Sequence, residues 1–239
     1  MTDWSGGKRD YNSAKAVSVA DGYGVELDGV LLTSPGARQL VVPSLPLAQA
    51  MAGEWASHGE AIEPAKMPLS CMAATALDRI EPRLAEMTRL TVMFGTTDLM
   101  CYRANGPDEL AAREAGEWQP MLDWAAQWLG ATLAVTDGVV PVNQSQAVLD
   151  GFTRAVEELD LFALTAVSAL AAASKSLVIA LALKAGHIDA KRAADLALLD
   201  DLFQLERWGE DAEARARLER IALDLADGER FLLLLASKA

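Results

Sequence analysis

The chain has 239 residues, 51% of them hydrophobic and 23% charged, a composition that excludes disorder, a collagen repeat and a disulfide-stapled mini-protein. Its 21 Lys and Arg face 34 Asp and Glu, for a net charge of −13. A chain this acidic lacks the broad cationic face that nucleic acid needs, and an anionic membrane surface repels it. The length fits one large domain or two small ones, either able to bury a core.

The leading segment Met1–Asp10 has no apolar stretch and carries acids early. It reads as neither a secretory signal nor an Arg-rich transit peptide, so a cytoplasmic location is expected. Short β-type runs follow at Ala16–Ala20, Tyr23–Leu27, Val30–Thr33 and Gln39–Val42. Between two of them, Asp28-Gly29 predicts a hairpin, because both central residues of a type I′ turn need positive φ. Pro35-Gly36 marks a further turn. After Pro43 the period changes, and Leu47, Met51 and Trp55 share one helical face that ends near Gly59. Pro64 and Pro68 prevent a helix over Ile62–Leu69. Ser70 reads as the N-cap of a helix running to Ile80, with Pro82 in the first turn of the next. Leu99–Arg103 reads as another short strand.

From Pro107 the pattern is helical. Asn105 or Gly106 is expected to cap a helix carrying Leu110 and Ala111, and Pro120 to open a separate one bearing Leu122, Trp124, Ala125 and Trp128. Residues 132–141 link to helices starting near Gln144, Leu161, Leu177, Asp189 and Asp211, with Gly186-His187 as a C-cap. The run Leu161–Leu183 is long enough for a bilayer, yet Lys175 interrupts it, and a central Lys costs about 2.5–3.5 kcal/mol on insertion. Two buried helices joined near Ser174 are expected instead of membrane insertion. The terminal run Phe231–Leu235 reads equally as a buried helix end or an exposed hook. Together these signals predict an α+β chain. Residues 1–104 form an α/β layer with short antiparallel strands, and residues 105–239 an all-helical bundle.

Little in the sequence points to catalysis. Cys71 and Cys101 lie far apart and are expected as reduced thiols. His58 and His187 fall at helix ends without a second His or Cys one turn away, so surface or capping roles are expected rather than metal ligation. There is no G-x-S-x-G and no P-loop, and Gly22-Tyr23-Gly24 lacks the third glycine of a dinucleotide fingerprint. No cofactor and no metal are expected. Acid pairs such as Glu157-Glu158, Asp200-Asp201 and Glu210-Asp211 diverge by about 100° on a helix and read as solvated faces. The exception is Asp200–Gly209, where Asp200, Gln204 and Trp208 succeed each other at i,i+4, with Asp201 one step round and Glu206 in the same run. Acid, amide and indole on one stripe suit a protein-binding face. The partner-binding candidates are therefore Asp200, Asp201, Gln204, Glu206 and Trp208. Trp118, Trp124 and Trp128 fit either packing against a neighbouring helix or a second exposed stripe.

Three blocks resemble the assembly chaperones of F1-ATPase that act on its α subunit. The first spans Leu45–Asp78, with Glu54-Trp55, Ile62, Pro64, Met67-Pro68-Leu69-Ser70 and Ala74-Thr75-Ala76 in order. The second holds Tyr102-Arg103-Ala104, Pro107, Leu110 and the run Trp118–Trp124. The third begins at Lys175-Ser176-Leu177 and runs through Asp200 to Gly209. The resemblance covers nearly the whole chain and implies a non-catalytic chaperone that binds unassembled α subunit until the β subunit replaces it. Acidic positions of the family's third block fall on Asp200 and Asp201, shorter than the Glu often seen there. Eukaryotic relatives are mitochondrial, so a chain without a transit peptide looks bacterial and cytoplasmic, and is expected to be monomeric when free. Two other readings stand beside this one: a small-molecule enzyme using helix-borne carboxylates, and an acidic adaptor for another protein.

Overall fold

A computed structural model describes residue 4 and residues 7–138, 140–209 and 211–237. Glu210 of the third acid pair, Val139 of the 132–141 link, and Met1–Asp3, Ser5 and Gly6 of the leading segment lie outside the described residues. The fold is α+β, with short antiparallel strands ahead of a mostly helical remainder. The chain divides into two units. The first gathers Met1–Leu84, Leu161–Ala166 and Arg230–Ala239, the second Ala85–Asp160 and Val167–Glu229.

In the first unit, β1 (Ala14–Val19) and β2 (Gly22–Leu27) pair antiparallel, with Ala14 opposite Leu27 and Val19 opposite Gly22. Asp28 and Gly29, at φ +48° and +88°, turn the chain into β3 (Val30–Leu31). The predicted hairpin turn is thus present, and the Asp28 carboxylate fixes it by accepting from the Asn12 and Ser13 amides and the Ser13 hydroxyl. Those bonds, the Asn12 amide foremost, lower its pKa. β4 (Val41–Val42) joins β2 at Tyr23 and Gly24, while Gln39 makes only an isolated bridge to Thr33. Near Pro35, a Cβ on Gly36 would lie 2.5 Å from the Asp78 carboxylate, which accepts from the Gly36 amide and the Ser34 hydroxyl.

Helix α1 (Leu45–Ser57) is capped by Ser44, and Leu47, Met51 and Trp55 are all buried, as their spacing predicts. The Ser44 hydroxyl also donates to the Leu234 carbonyl. The next helix corrects the sequence reading. α2 (Pro68–Thr75) starts at Pro68, and Ser70 lies inside its first turn rather than at its N-cap. Pro68 is preset for a first helical position and has no N–H to satisfy. The capping acceptor comes from α1: the buried Glu54 carboxylate accepts from the Leu69 amide at 2.8 Å, the Ser70 amide at 2.9 Å and the Ser70 hydroxyl at 2.6 Å. Burial raises the Glu54 pKa against these bonds. The Trp55 indole N–H donates to the same Ser70 oxygen. A π turn (Ala76–Ile80) and a 3-10 turn (Glu81–Arg83) carry the chain into α3 (Leu84–Met93). Phe231 and Leu232 are buried and Leu233 is exposed, so the terminal run is a helix end with one outward side chain.

In the second unit, Asp98 accepts from the Met100 amide and starts a 3-10 turn (Leu99–Cys101). That turn takes up most of the strand expected over Leu99–Arg103, leaving β5 (Tyr102–Arg103), which pairs in parallel with β6 (Thr136–Asp137). Helix α4 (Asp108–Leu129) runs 22 residues straight through Pro120, where a separate helix was expected to open. Pro120 and Gly116, whose carbonyl loses its i+4 donor, are both exposed, so the lost bond falls on the solvent side of the helix and not in the core. The opposite face, with Leu110, Trp118, Leu122 and Leu129, is buried and holds the helix together. Its N-cap is Pro107, whose carbonyl accepts from Leu110 and Ala111, and neither Asn105 nor Gly106 caps it.

Ser145 caps α5 (Gln146–Glu157). The long apolar run divides into α6 (Leu161–Ser174) and α7 (Leu177–Lys184) at Lys175, which has φ +57°. Among the described residues no helix is long and apolar enough to cross a membrane. Asp98 caps α7 as Glu54 caps α2: its carboxylate accepts from the Ser176 hydroxyl at 2.8 Å and the Val178 amide at 3.0 Å, while Ser176 accepts from Ile179. Complete burial lifts the Asp98 pKa to about 6 despite those donors. Gly186, at φ +66°, and the His187 amide bonded to Ala182 close the C-terminus of α7. The remaining helices are α8 (Ala190–Ala197), α9 (Leu199–Trp208) and α10 (Ala212–Ala236). Both cysteines are free thiols, and burial pushes Cys71 up to about 11 and Cys101 to about 12. Neither is a thiolate at neutral pH.

Candidate functional site

Leu199 and Phe203 form the buried side of α9, which turns the intervening polar residues outward or sideways. Gly209, at φ +93°, ends the helix. Trp208 is 73% exposed, the most open large hydrophobic side chain among the described residues, and Leu202 is exposed beside the half-buried Leu205. Gln204 faces solvent. Asp201 pairs with Arg217 of α10 at 2.7 Å, and Glu206 with Arg113 of α4 at 3.0 Å. Exposed ion pairs contribute at most about 1 kcal/mol each, so these two orient side chains more than they stabilise the fold. Arg113 also lies over the Phe203 ring at 5.4 Å.

Asp200 behaves differently from its neighbours. Among the described residues its buried Oδ1 finds no donor, and neither does Oε1 of Glu114 on α4. Glu114 is 1% exposed. Its Oε2 accepts from the Ala104 amide at 2.6 Å, and its main-chain carbonyl from the Arg103 guanidinium at 2.5 Å. Burial and the adjoining Asp200 carboxyl raise the Glu114 pKa to about 7. Sequence reasoning missed Glu114, although its spacing holds a signal: it falls between Leu110 and Trp118 at successive i,i+4 steps, where a solvated glutamate does not belong.

Beside α9 lies a groove of about 380 Å³ between α8, α9 and α10. Leu198, Leu202, Leu205 and Leu218 make it apolar, and Asp195, Glu206, Arg215 and Glu219 add charge. The tryptophans divide between the two roles considered for them. Trp118 is fully buried, its indole donating to the Leu196 carbonyl at 3.0 Å. Trp128 is 37% exposed and meets Trp124 edge-on at 5.6 Å, and His187 stacks on Trp124 at 4.6 Å. His58 is the C-cap residue of α1 yet is buried, with Nε2 3.2 Å from the Met67 sulfur, and burial lowers its pKa. Among the described residues no cluster of three metal-ligating side chains occurs.

Comparison with known proteins identifies the family. The sequence profile described as ATP12 chaperone protein matches residues 8–126. Protein atp12, mitochondrial, of Schizosaccharomyces pombe is 24% identical over 202 residues, which cover 79% of this chain and 69% of that one. The crystal structure of Atp12 from Paracoccus denitrificans is 38% identical, covers 98% of this chain and all of its own, and superposes with a TM-score of 0.91. The Atu1473 protein of Agrobacterium tumefaciens is 33% identical over 95% of this chain and 85% of its own, with a TM-score of 0.89. The class defined by these matches is a molecular chaperone. The chain belongs to the ATP12 chaperone family, the F1-ATPase assembly chaperones.

Proposed function

We propose that this protein binds the unassembled α subunit of F1-ATPase through the outward face of α9 and the adjoining groove, and yields it when the β subunit arrives. The observation that carries the reading is the exposed indole of Trp208 beside Leu202 and the apolar groove, flanked by the ion-paired Asp201 and Glu206. An aromatic anchor with a polar surround is the usual composition of a protein-binding hot spot. A subunit made for an oligomer exposes an apolar interface while alone, which is an aggregation liability. Reversible cover keeps it dispersed, and the true partner then displaces the chaperone by mass action. In this reading the protein works without catalysis, cofactor or nucleic acid, as a monomer in a bacterial cytoplasm. The residues proposed to face the subunit are Asp201, Gln204, Glu206 and Trp208, with Asp200 behind them.

One observation favours the enzyme reading: Glu114 and Asp200 are convergent acids, one of them raised toward neutrality. At 1% exposure, however, Glu114 offers a substrate no approach. The deciding experiment is size-exclusion chromatography of the protein with purified F1 α subunit, and separately with β, without nucleotide. A complex with α that dissolves on adding β is the expected result. Failure to co-elute with α removes the proposal.

A further inference from the structure

If α9 is the partner-binding helix, Asp200 has no obvious task on it, because one of its carboxylate oxygens is shut away from solvent and finds no donor among the described residues. We infer that Asp200 and Glu114 share a single proton, and that this carboxyl–carboxylate bond pins α9 to α4, making Glu114 a positioning residue for the partner-binding face. The consequence for binding rests on the reading proposed above; the shared proton does not.

Glu114 Oε1 and Asp200 Oδ1 are the two buried side-chain oxygens that find no donor among the described residues. Two carboxylates brought together away from water do not both stay ionised. With one proton between them, two unsatisfied acceptors become one short, charge-assisted O–H···O⁻ bond. The other Glu114 oxygen is already fixed by the Ala104 amide, so the proton belongs on Oε1, the oxygen facing α9. The charged groups around the pair are few. Asp200 faces Glu114 from α9. From β5, Arg103 directs its guanidinium to the Glu114 main-chain carbonyl, the Gln119 amide and the Trp118 ring, with Asp137 of β6 nearby. Arg113, one residue away on α4, is engaged by Glu206. Desolvation and Asp200 raise the Glu114 pKa, while the Ala104 amide and Arg103 oppose them. The folded value of about 7 lies above the ordinary 4.5 of a glutamate, so the bond is present at low pH and is lost as pH rises through about 7.

The test is hydrogen exchange of the α9 amides at pH 6 and pH 8, corrected for intrinsic rates, on the whole free protein. Wild type is expected to lose protection by roughly tenfold at pH 8, as local opening of one helix allows. Glu114→Gln is expected to be equally protected at both, because its carboxamide N–H donates to Asp200 at any pH. An undiminished pH effect in Glu114→Gln overturns the inference. Carbon-13 NMR of the Glu114 carboxyl gives an independent reading: a midpoint near 7 is expected, moving to lower pH in Asp200→Asn, whose amide supplies the donor instead. A midpoint below pH 5.5 in wild type, or one unmoved by Asp200→Asn, also overturns it. Purified F1 α subunit provides the last arm, with complex formation expected to weaken at pH 8 in wild type and to hold in Glu114→Gln. Absence of a complex at both pH values, with the exchange results intact, sinks the α-subunit reading and leaves the shared proton standing.

Discussion

Glu54 and Asp98 do the same work in different units: each is a buried carboxylate whose acceptors are filled by the first N–H groups of a helix to which it does not belong. Removing the acceptor leaves those amides buried and unpaired, the costly side of hydrogen-bond energetics. Asp98→Ala is therefore expected to destabilise the protein by about 2–4 kcal/mol, measured as a lowered urea midpoint at unchanged slope. The pH dependence has a definite sign. Asp98 titrates near 6 when folded, above its ordinary 3.8, so between those values the native state holds the extra proton. Stability thus falls as pH rises from about 4 to about 6. Thermal melts at pH 4.5 and 6.5 should show that decline in wild type and a smaller one in Asp98→Asn; equal declines would contradict the assignment. Trp208 carries the opposite expectation. At 73% exposure it supports no core, so Trp208→Ala should leave the melting temperature within about a degree. The same change should weaken α-subunit binding tenfold or more, in the range of about 1.4 kcal/mol upward typical of aromatic anchors. Parallel loss of melting temperature and binding would return the indole to a structural role.

At the level of elements, Pro120 gives the plainest test. The helix α4 tolerates it because Pro120 and Gly116 both lie on the exposed side of the helix, not because the residue fits. Pro120→Ala restores that bond and is expected to stabilise the protein by about 1–3 kcal/mol, read from denaturant unfolding. What the sequence disclosed about elements follows the range of the interaction. The Asp28-Gly29 turn was legible because positive φ is a property of two adjacent residues. The face Leu47, Met51 and Trp55 was legible because one helix repeats every 3.6 residues. Ser70 was misread because its hydroxyl is engaged by Glu54 and Trp55, fifteen or sixteen positions earlier. The Leu99–Arg103 run was misread because Asp98 turns it, and Pro120 because a buried face running from Leu110 to Leu129 outweighs one lost bond. In the candidate site, the stripe on α9 could be written down from its period, whereas the partner of Asp200 could not. That partner sits 86 positions away on another helix. Glu114 was nonetheless marked by being a glutamate at a core position, a local inconsistency of the kind functional sites produce.

For the whole molecule, membership of a chaperone family and a small set of exposed apolar side chains support the proposal of a binder that covers a partner's surface. Such an activity scales with stoichiometry rather than turnover. Light scattering from F1 α subunit diluted out of denaturant should fall as this protein is added and reach its minimum near one equivalent, with or without ATP. Suppression at a small fraction of an equivalent would point to catalysis instead. The residues that carry the family resemblance also show why it was readable. Glu54, Trp55 and Ser70 form one polar knot, Arg103 and Ala104 bond Glu114 with the Trp118 ring against the Arg103 guanidinium, and Ser176 joins Asp98. Each is a side chain or amide whose replacement strands a partner.

The first unit combines residues up to Leu84 with Arg230–Ala239, and the α1 cap Ser44 donates to Leu234. During synthesis the early strands and α1 therefore emerge long before the segment that completes them. At ordinary translation rates of about 5–20 residues per second, the intervening stretch on the order of 150 residues takes roughly 7–30 s. Throughout that interval the nascent chain presents an incomplete core to solvent. A protein proposed to shelter another chain's unfinished surface thus passes through the same exposure itself. Ribosome-stalled chains ending before Arg230 should be cut by protease in the α1 region, and chains long enough to have released Leu234 from the ribosome should resist.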